Sequence, residues 1–120
     1  MNESLRQVRQ HRREVLAELA LIEQMRRGSL IPQMFEATRK DGTKVLRGPY
    51  TLYTSKEKGK TISRRITDPE QVSRYQEQIK AFRRFETLAN ELVRVGEKIG
   101  DLVLSDEAEL KKKRSRRGKE

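Results

Sequence analysis

Apolar positions along the chain fall into three regimes. In the first, Leu5, Val8, Val15, Leu19 and Ile22 recur at intervals of three, four or seven, and Leu16 and Met25 widen the stripe. That is the spacing of one face of an α-helix. It predicts a helix over residues 3–27, with Arg12 standing where an apolar residue would continue the stripe. Gly28 follows Arg26 and Arg27, and glycine just past a cationic last turn is a common helix stop.

From Leu30 to Ile66 the helical spacing disappears and β-branched and aromatic residues cluster, which predicts antiparallel strands. The first covers 30–37, and Pro32 places it on an edge because proline brings no N–H to a ladder. Arg39-Lys40-Asp41-Gly42 is a turn. Gly48 to Thr54 forms the second strand, residues 55–60 a loop in which Gly59 supplies a left-handed or bulged turn, and Lys60 to Ile66 the third strand. Alternation groups Ile62, Arg64 and Ile66 against Thr61, Ser63 and Arg65. On this reading Ile62, Ile66, Tyr50 and Leu52 enter the core, while Arg65, Ser63, Thr61 and Tyr53 face outward.

The third regime is a well-marked helix. Thr67 or Asp68 caps it, Pro69 takes its first position, and Glu70 and Glu77 lie toward the positive end of its dipole. Val72, Tyr75, Ile79, Phe82, Phe85, Leu88, Leu92, Val95, Ile99 and Leu102 form its stripe. From Phe85 onward the steps alternate three and four, which is coiled-coil spacing. Two successive steps of three, Phe82 to Phe85 to Leu88, rotate the stripe and imply a change of partner from the sheet to another helix. Gly96 and Gly100 each cost about 1 kcal/mol relative to Ala, so fraying or a break is expected there. Residues 105–120 are polar and read as a disordered basic tail. The expected architecture is α+β: a single domain over 1–104 (helix 3–27, sheet 30–66, helix 69–104, the two helices antiparallel), then the tail over 105–120.

Composition narrows the class. Leu, Ile, Val and Phe total 28 of 120 residues, just above the roughly 20% below which chains stay disordered, so any core is thin. There is no cysteine, which excludes disulfides, thiolate metal sites and cysteine nucleophiles. No apolar run approaches the roughly 20 residues of a membrane span, and the first residues, MNESLRQVRQHRR, lack the apolar stretch of a secretory signal. The expected location is the cytoplasm. His11 stands alone on a charged helix face, no carboxylate pair or Ser–His set appears, and Gly59-Lys60-Thr61 lacks the upstream glycine of a phosphate loop. A non-enzymatic protein without catalytic residues, metal or cofactor is expected.

Charge supplies the positive signal. Lys and Arg number 28 against 18 Asp and Glu, a net +10. The excess is concentrated in Thr38 to Arg65 and in the last ten residues, KKKRSRRGKE. Localised cationic patches suit a polyanion, here nucleic acid, with DNA expected before RNA and no membrane. A β-hairpin can enter the major groove of duplex DNA. The candidate contact residues are Lys56, Lys58, Lys60, Thr61, Ser63, Arg64 and Arg65 on the hairpin. On the tail they are Lys111, Lys112, Lys113, Arg114, Arg116 and Arg117. A plainer reading has the same cations keep a sheet edge from pairing with other chains. Tyr75, Phe82 and Phe85, at helical spacing, are core residues rather than base-stacking groups. The function expected is a DNA-binding accessory or regulatory protein. The Phe85–Leu102 seam is expected to pair two chains, which would suit a paired DNA site, or to bind a partner protein. The alternative function is a helical interaction subunit docking an acidic protein or an RNA-containing assembly.

The motifs Arg27-Gly28-Ser29-Leu30, Gly48-Pro49-Tyr50, Gly59-Lys60-Thr61 and Arg83-Arg84-Phe85 with Leu88 occur in an order that resembles a family of short, uncharacterised bacterial and archaeal proteins. The likeness covers about residues 26–92. It implies a context, often near mobile elements, rather than an activity. Many members carry cysteines between the first two strands, whereas here Phe35-Glu36-Ala37-Thr38 through Leu46 holds none, so no metal site carries over. The sheet-then-helix order also resembles the arm-binding domains of tyrosine recombinases, which place a three-stranded sheet in the major groove. That likeness is one of topology.

Overall fold

A computed structural model of the chain describes residues 3–118. Helix α1 (Leu5–Leu21) is followed by strands β1 (Ser29–Thr38), β2 (Lys44–Glu57) and β3 (Lys60–Ile66), then helix α2 (Pro69–Gly118). The α+β order is the expected one. By its contacts the chain divides into two compact units. One comprises Gln24–Arg84, and the other comprises α1 together with α2 from Phe85 onward.

In the first of these units the sheet is antiparallel in the order β1-β2-β3. β1 is therefore an edge strand, as Pro32 requires. β2 is longer at both ends than the expected 48–54. It passes through a bulge in which Gly48 and Pro49 oppose the single residue Met34, and the Gly48–Pro49 peptide is cis. The expected loop over 55–60 is instead a two-residue turn, with Lys58 at φ 50° and Gly59 at φ 80°. Positive φ at both central residues is the tight turn whose twist matches a hairpin, and it lets β2 run to Glu57, which pairs with Lys60.

That turn corrects the expected faces of the hairpin. It pairs Tyr53 with Arg64 and Thr51 with Ile66 on one face, and Leu52 with Arg65 and Thr54 with Ser63 on the other. Tyr53 and Ile66 are buried and form a core with Ile79, flanked by Leu30, Val72 and Tyr75. Tyr53 is thus a core residue and not an outward one. Tyr50 and Leu52 sit on the opposite face, and Ile62 is 43% exposed. The expected grouping of Tyr50 and Leu52 with Ile62 and Ile66 corresponds to a register one residue away, and a one-residue slip moves every side chain to the other face.

The N-terminal end of α2 is capped as expected: Asp68 Oδ1 accepts the Glu70 N–H at 3.0 Å. Residues 24–27 are not helical and are held against α2. The Arg26 N–H donates to the Gln78 carbonyl at 3.0 Å, and its Nε donates to Gln78 Oε1 at 2.9 Å. Its guanidinium lies 4.2 Å from the Tyr75 ring centre. These contacts explain why α1 stops at Leu21 and does not continue to Arg27. Gly28, at φ 119°, lies so close to β2 that a Cβ there would strike the Thr54 carbonyl oxygen and stand 2.8 Å from Tyr53 Cε2.

In the second unit Val8 and Val15 of α1 and Leu88 and Val95 of α2 are buried, two pairs each seven residues apart. Lys98 Nζ reaches Glu3 at 3.4 Å and His11 Nε2 reaches Glu91 at 2.7 Å, so the helices run antiparallel. The expected change of partner along α2 thus falls where the stripe rotates, at Arg84/Phe85. Ser4 opens α1 with a capping box, its side chain accepting from the Gln7 N–H while Gln7 accepts from the Ser4 N–H.

Two expectations for α2 are overturned. Gly96 and Gly100 do not break it, because the apolar stripe runs on past them, with Val95 buried and Ile99 and Leu102 half-buried. Residues 105–118 are helical and not disordered. Glu107 and Glu109 each stand four residues before a lysine, an orientation that favours helix. The cations Arg116 and Arg117 lie in the last turn, where the dipole favours them. Lys119 and Glu120 lie outside the described residues.

Candidate nucleic-acid interface

The first part of α2 packs against the face of the sheet that carries Tyr53 and Ile66. The other face is assembled by alternation and register. It carries Ser29, Ile31, Gln33, Phe35 and Ala37 from β1; Val45, Arg47, Tyr50, Leu52, Thr54 and Lys56 from β2; and Thr61, Ser63 and Arg65 from β3. No other element of this unit covers it. It bears three cations, Arg47, Lys56 and Arg65, and among its described positions no carboxylate.

Its centre is aromatic. The Phe35 and Tyr50 rings meet at 5.5 Å between centroids with a 51° tilt. The Arg65 guanidinium lies 4.1 Å from the Tyr50 ring centre and 5.0 Å from that of Phe35. Cation–π attraction holds a guanidinium in such a place. Both rings are half-buried and Arg65 is exposed. Ile31 and Leu52, which pair across β1 and β2, extend the apolar strip beside them.

The hairpin residues expected to contact nucleic acid therefore divide. Lys56, Thr61, Ser63 and Arg65 share the open face, and Lys58 and Lys60 stand exposed at the tip. Arg64 belongs to the opposite face. Its Nη2 donates to the Tyr75 hydroxyl at 2.6 Å, and its guanidinium stacks 5.7 Å from the Tyr53 ring centre. It is exposed but lies on the face toward α2, apart from Lys56, Thr61, Ser63 and Arg65. Sequence reasoning missed Phe35, Tyr50 and Arg47. Counting the register outward from Lys58-Gly59 as a two-residue turn would have found Tyr50 beside Arg65. Phe35 and Arg47 needed the bulge at Gly48-Pro49 as well.

Lys111, Lys112, Lys113, Arg114, Arg116 and Arg117 all lie exposed on the last two turns of α2, a different unit from the sheet. At 100° per residue they point to all sides of the helix rather than lining a flexible strand.

At the far end of the sheet the β1–β2 turn is closed by Asp41. Its Oδ1 accepts from the Thr43 N–H at 2.9 Å and from the Thr43 hydroxyl. These bonds from Thr43, the hydroxyl's foremost, hold the Asp41 carboxyl below its ordinary pKa.

Among the described residues no helix is long and apolar enough to cross a membrane. No family model, curated protein or solved structure matches the chain. The likeness of residues 26–92 to short bacterial and archaeal proteins therefore rests on its motifs alone.

Proposed function

We propose that the chain is a non-enzymatic, cytoplasmic DNA-binding protein of accessory or regulatory type. Its contact surface is the open face and tip of the three-stranded sheet. The observation that carries this reading is the charge on that face: Arg47, Lys56 and Arg65 with no Asp or Glu among them; at the tip Lys58 and Lys60 outnumber Glu57. A solubilising surface intersperses both signs, whereas a one-sign surface around an aromatic centre attracts a polyanion and offers its bases something to touch. The cationic end of α2 adds affinity without sequence choice, because phosphate contacts position a ligand and do not read it. The motif likeness to proteins found near mobile elements fits an accessory role.

The test is a fluorescence-anisotropy titration of labelled DNA with the purified chain across a salt series. Binding that weakens steeply with salt, and weakens further when Arg47, Lys56 and Arg65 are all changed to Gln, supports the reading. Indifference to DNA at low salt refutes it.

A second reading is favoured by one observation. Val93, Leu104 and Leu110 on α2 are 60%, 65% and 55% exposed. In this reading α2 docks an acidic protein, an RNA-containing assembly or a second copy along its length, and the cations guide the encounter. Co-purification with one partner by a chain that ignores DNA would establish it instead.

A further inference from the structure

We propose that Phe35, Tyr50 and Arg65 form a stacking platform for unpaired bases, so that the ligand of the open face is a single strand of DNA. This rests on the DNA-binding reading above and narrows it. The three groups come from three different strands, and the two registers bring them together: Gln33 opposite Tyr50, with Phe35 next on the same face, and Leu52 opposite Arg65. The rings stand half-buried on the sheet with the exposed Arg65 guanidinium against them.

Charge and shape select the occupant. A duplex offers its major groove as a pattern of donors and acceptors, and a sheet that reads it needs hydrogen-bonding side chains at its centre. Here rings and aliphatic side chains, Phe35, Tyr50, Ile31 and Leu52, dominate the centre, and Gln33, opposite Tyr50, is the one amide among them. Rings set against base-pair edges would desolvate those edges without replacing their hydrogen bonds. An unpaired base has the opposite requirement: it gains from leaving water for a flat π surface, whatever its identity. The Arg65 guanidinium, 4.1 Å from the Tyr50 ring centre, is itself a plane on which a base can lie. Arg47 beside Phe35 and Lys56 beside Thr61 stand at the margins to meet the phosphates on either side, and Thr54 and Ser63 place hydroxyls between them. A strand crossing the sheet would thus find stacking in the middle and cations at its edges.

The experiment uses the full chain and three probes of one sequence and length: single-stranded DNA, the matching RNA, and duplex DNA. Affinities are measured for wild type, Phe35→Leu, Tyr50→Leu, Tyr50→Phe and Arg65→Gln, each checked for native circular dichroism. A bromodeoxyuridine-substituted single strand is cross-linked by light and the adducts are mapped by mass spectrometry. The expected result is single-stranded DNA bound about tenfold or more tighter than duplex, and a loss of roughly tenfold on removing either ring. Tyr50→Phe, which keeps the ring, should bind as wild type does, and adducts should fall on Phe35 or Tyr50. Duplex bound as tightly as single strand, RNA bound tighter than DNA, or adducts confined to Lys111–Arg117 would overturn the platform while leaving nucleic-acid binding intact. Failure to bind all three probes at low salt would remove the underlying reading as well. The cross-links and Tyr50→Phe decide the matter even if the leucine variants unfold.

Discussion

The rings of Tyr53 and Tyr75 meet edge to face, 5.1 Å between centroids at 85°. The Tyr53 hydroxyl donates onward to the Arg27 carbonyl. One residue of β2 thus ties the sheet both to α2 and to the segment entering β1. Tyr53→Phe keeps the ring and loses the hydrogen bond, at a cost of about 1 kcal/mol. Tyr53→Ala removes a buried ring from a thin core, at about 3–5 kcal/mol. Urea denaturation of both variants measures the pair, and equal costs would refute the assigned roles.

Adjacent arginines should behave differently. Arg64→Gln loses the 2.6 Å bond to Tyr75, lowering stability by about 1 kcal/mol and leaving DNA affinity close to wild type. Arg65→Gln costs no more stability than that but weakens DNA binding about tenfold. Parallel melting and anisotropy measurements separate the two, and equal losses of affinity would count against the open face as the contact surface.

Gly28 is required by space and by backbone. At φ 119° an L-residue is strained, and the Thr54 carbonyl blocks its Cβ. Gly28→Ala should destabilise the protein by at least about 2 kcal/mol, read as a lowered thermal midpoint. A variant that melts with wild type would show that the corner yields freely.

The basic end of α2 makes a prediction about salt. A helix that disperses its six cations, Lys111 to Arg117, around its circumference presents roughly half of them to one ligand. Ending the chain at Leu110 should then reduce the log–log salt slope on duplex DNA by about 2.7, at about 0.9 per phosphate. A reduction near twice that would mean that the segment unwinds to engage every charge.

Asp41 sets a pH dependence with a definite sign. Its carboxyl titrates below the ordinary value because Thr43 donates to the charged form. A group depressed in the folded state contributes stability that is present above its unfolded pKa and is lost as pH falls through its folded pKa. The β1–β2 turn should therefore loosen only at acid pH. NMR titration of the Asp41 side-chain carbon should show the low value in wild type and a partial rise toward the ordinary one in Thr43→Val, which loses the hydroxyl and keeps the backbone N–H.

Much of this architecture is legible in the apolar spacing. The Asp68-Pro69 start, the edge position forced by Pro32 and the change of partner at Phe85 all follow from local rules. What resists such reading depends on distant partners. α1 ends at Leu21 because Arg26 docks on Tyr75 and Gln78, residues some fifty positions away. The faces of the hairpin turn on whether Lys58-Gly59 is the whole turn or part of a longer loop, a difference of one residue with consequences for every side chain. Arg64 and Arg65 are indistinguishable in composition, and only the register assigns one to the face toward α2 and the other to the open face. The last turns of α2 look unstructured by polarity, yet charge order and the absence of proline favour their helix.

Pro32 has a consequence for how the protein behaves in company. An edge strand ordinarily turns a row of N–H groups outward, and a second chain can pair with that row. Proline is tolerated on an edge because its missing donor falls on the outer side. The outer row of β1 is therefore broken near its middle, between Ser29 and Thr38. Concentrated samples should resist growth of the sheet from molecule to molecule along this border, which keeps the broad face beside it free for a ligand rather than lost in an aggregate.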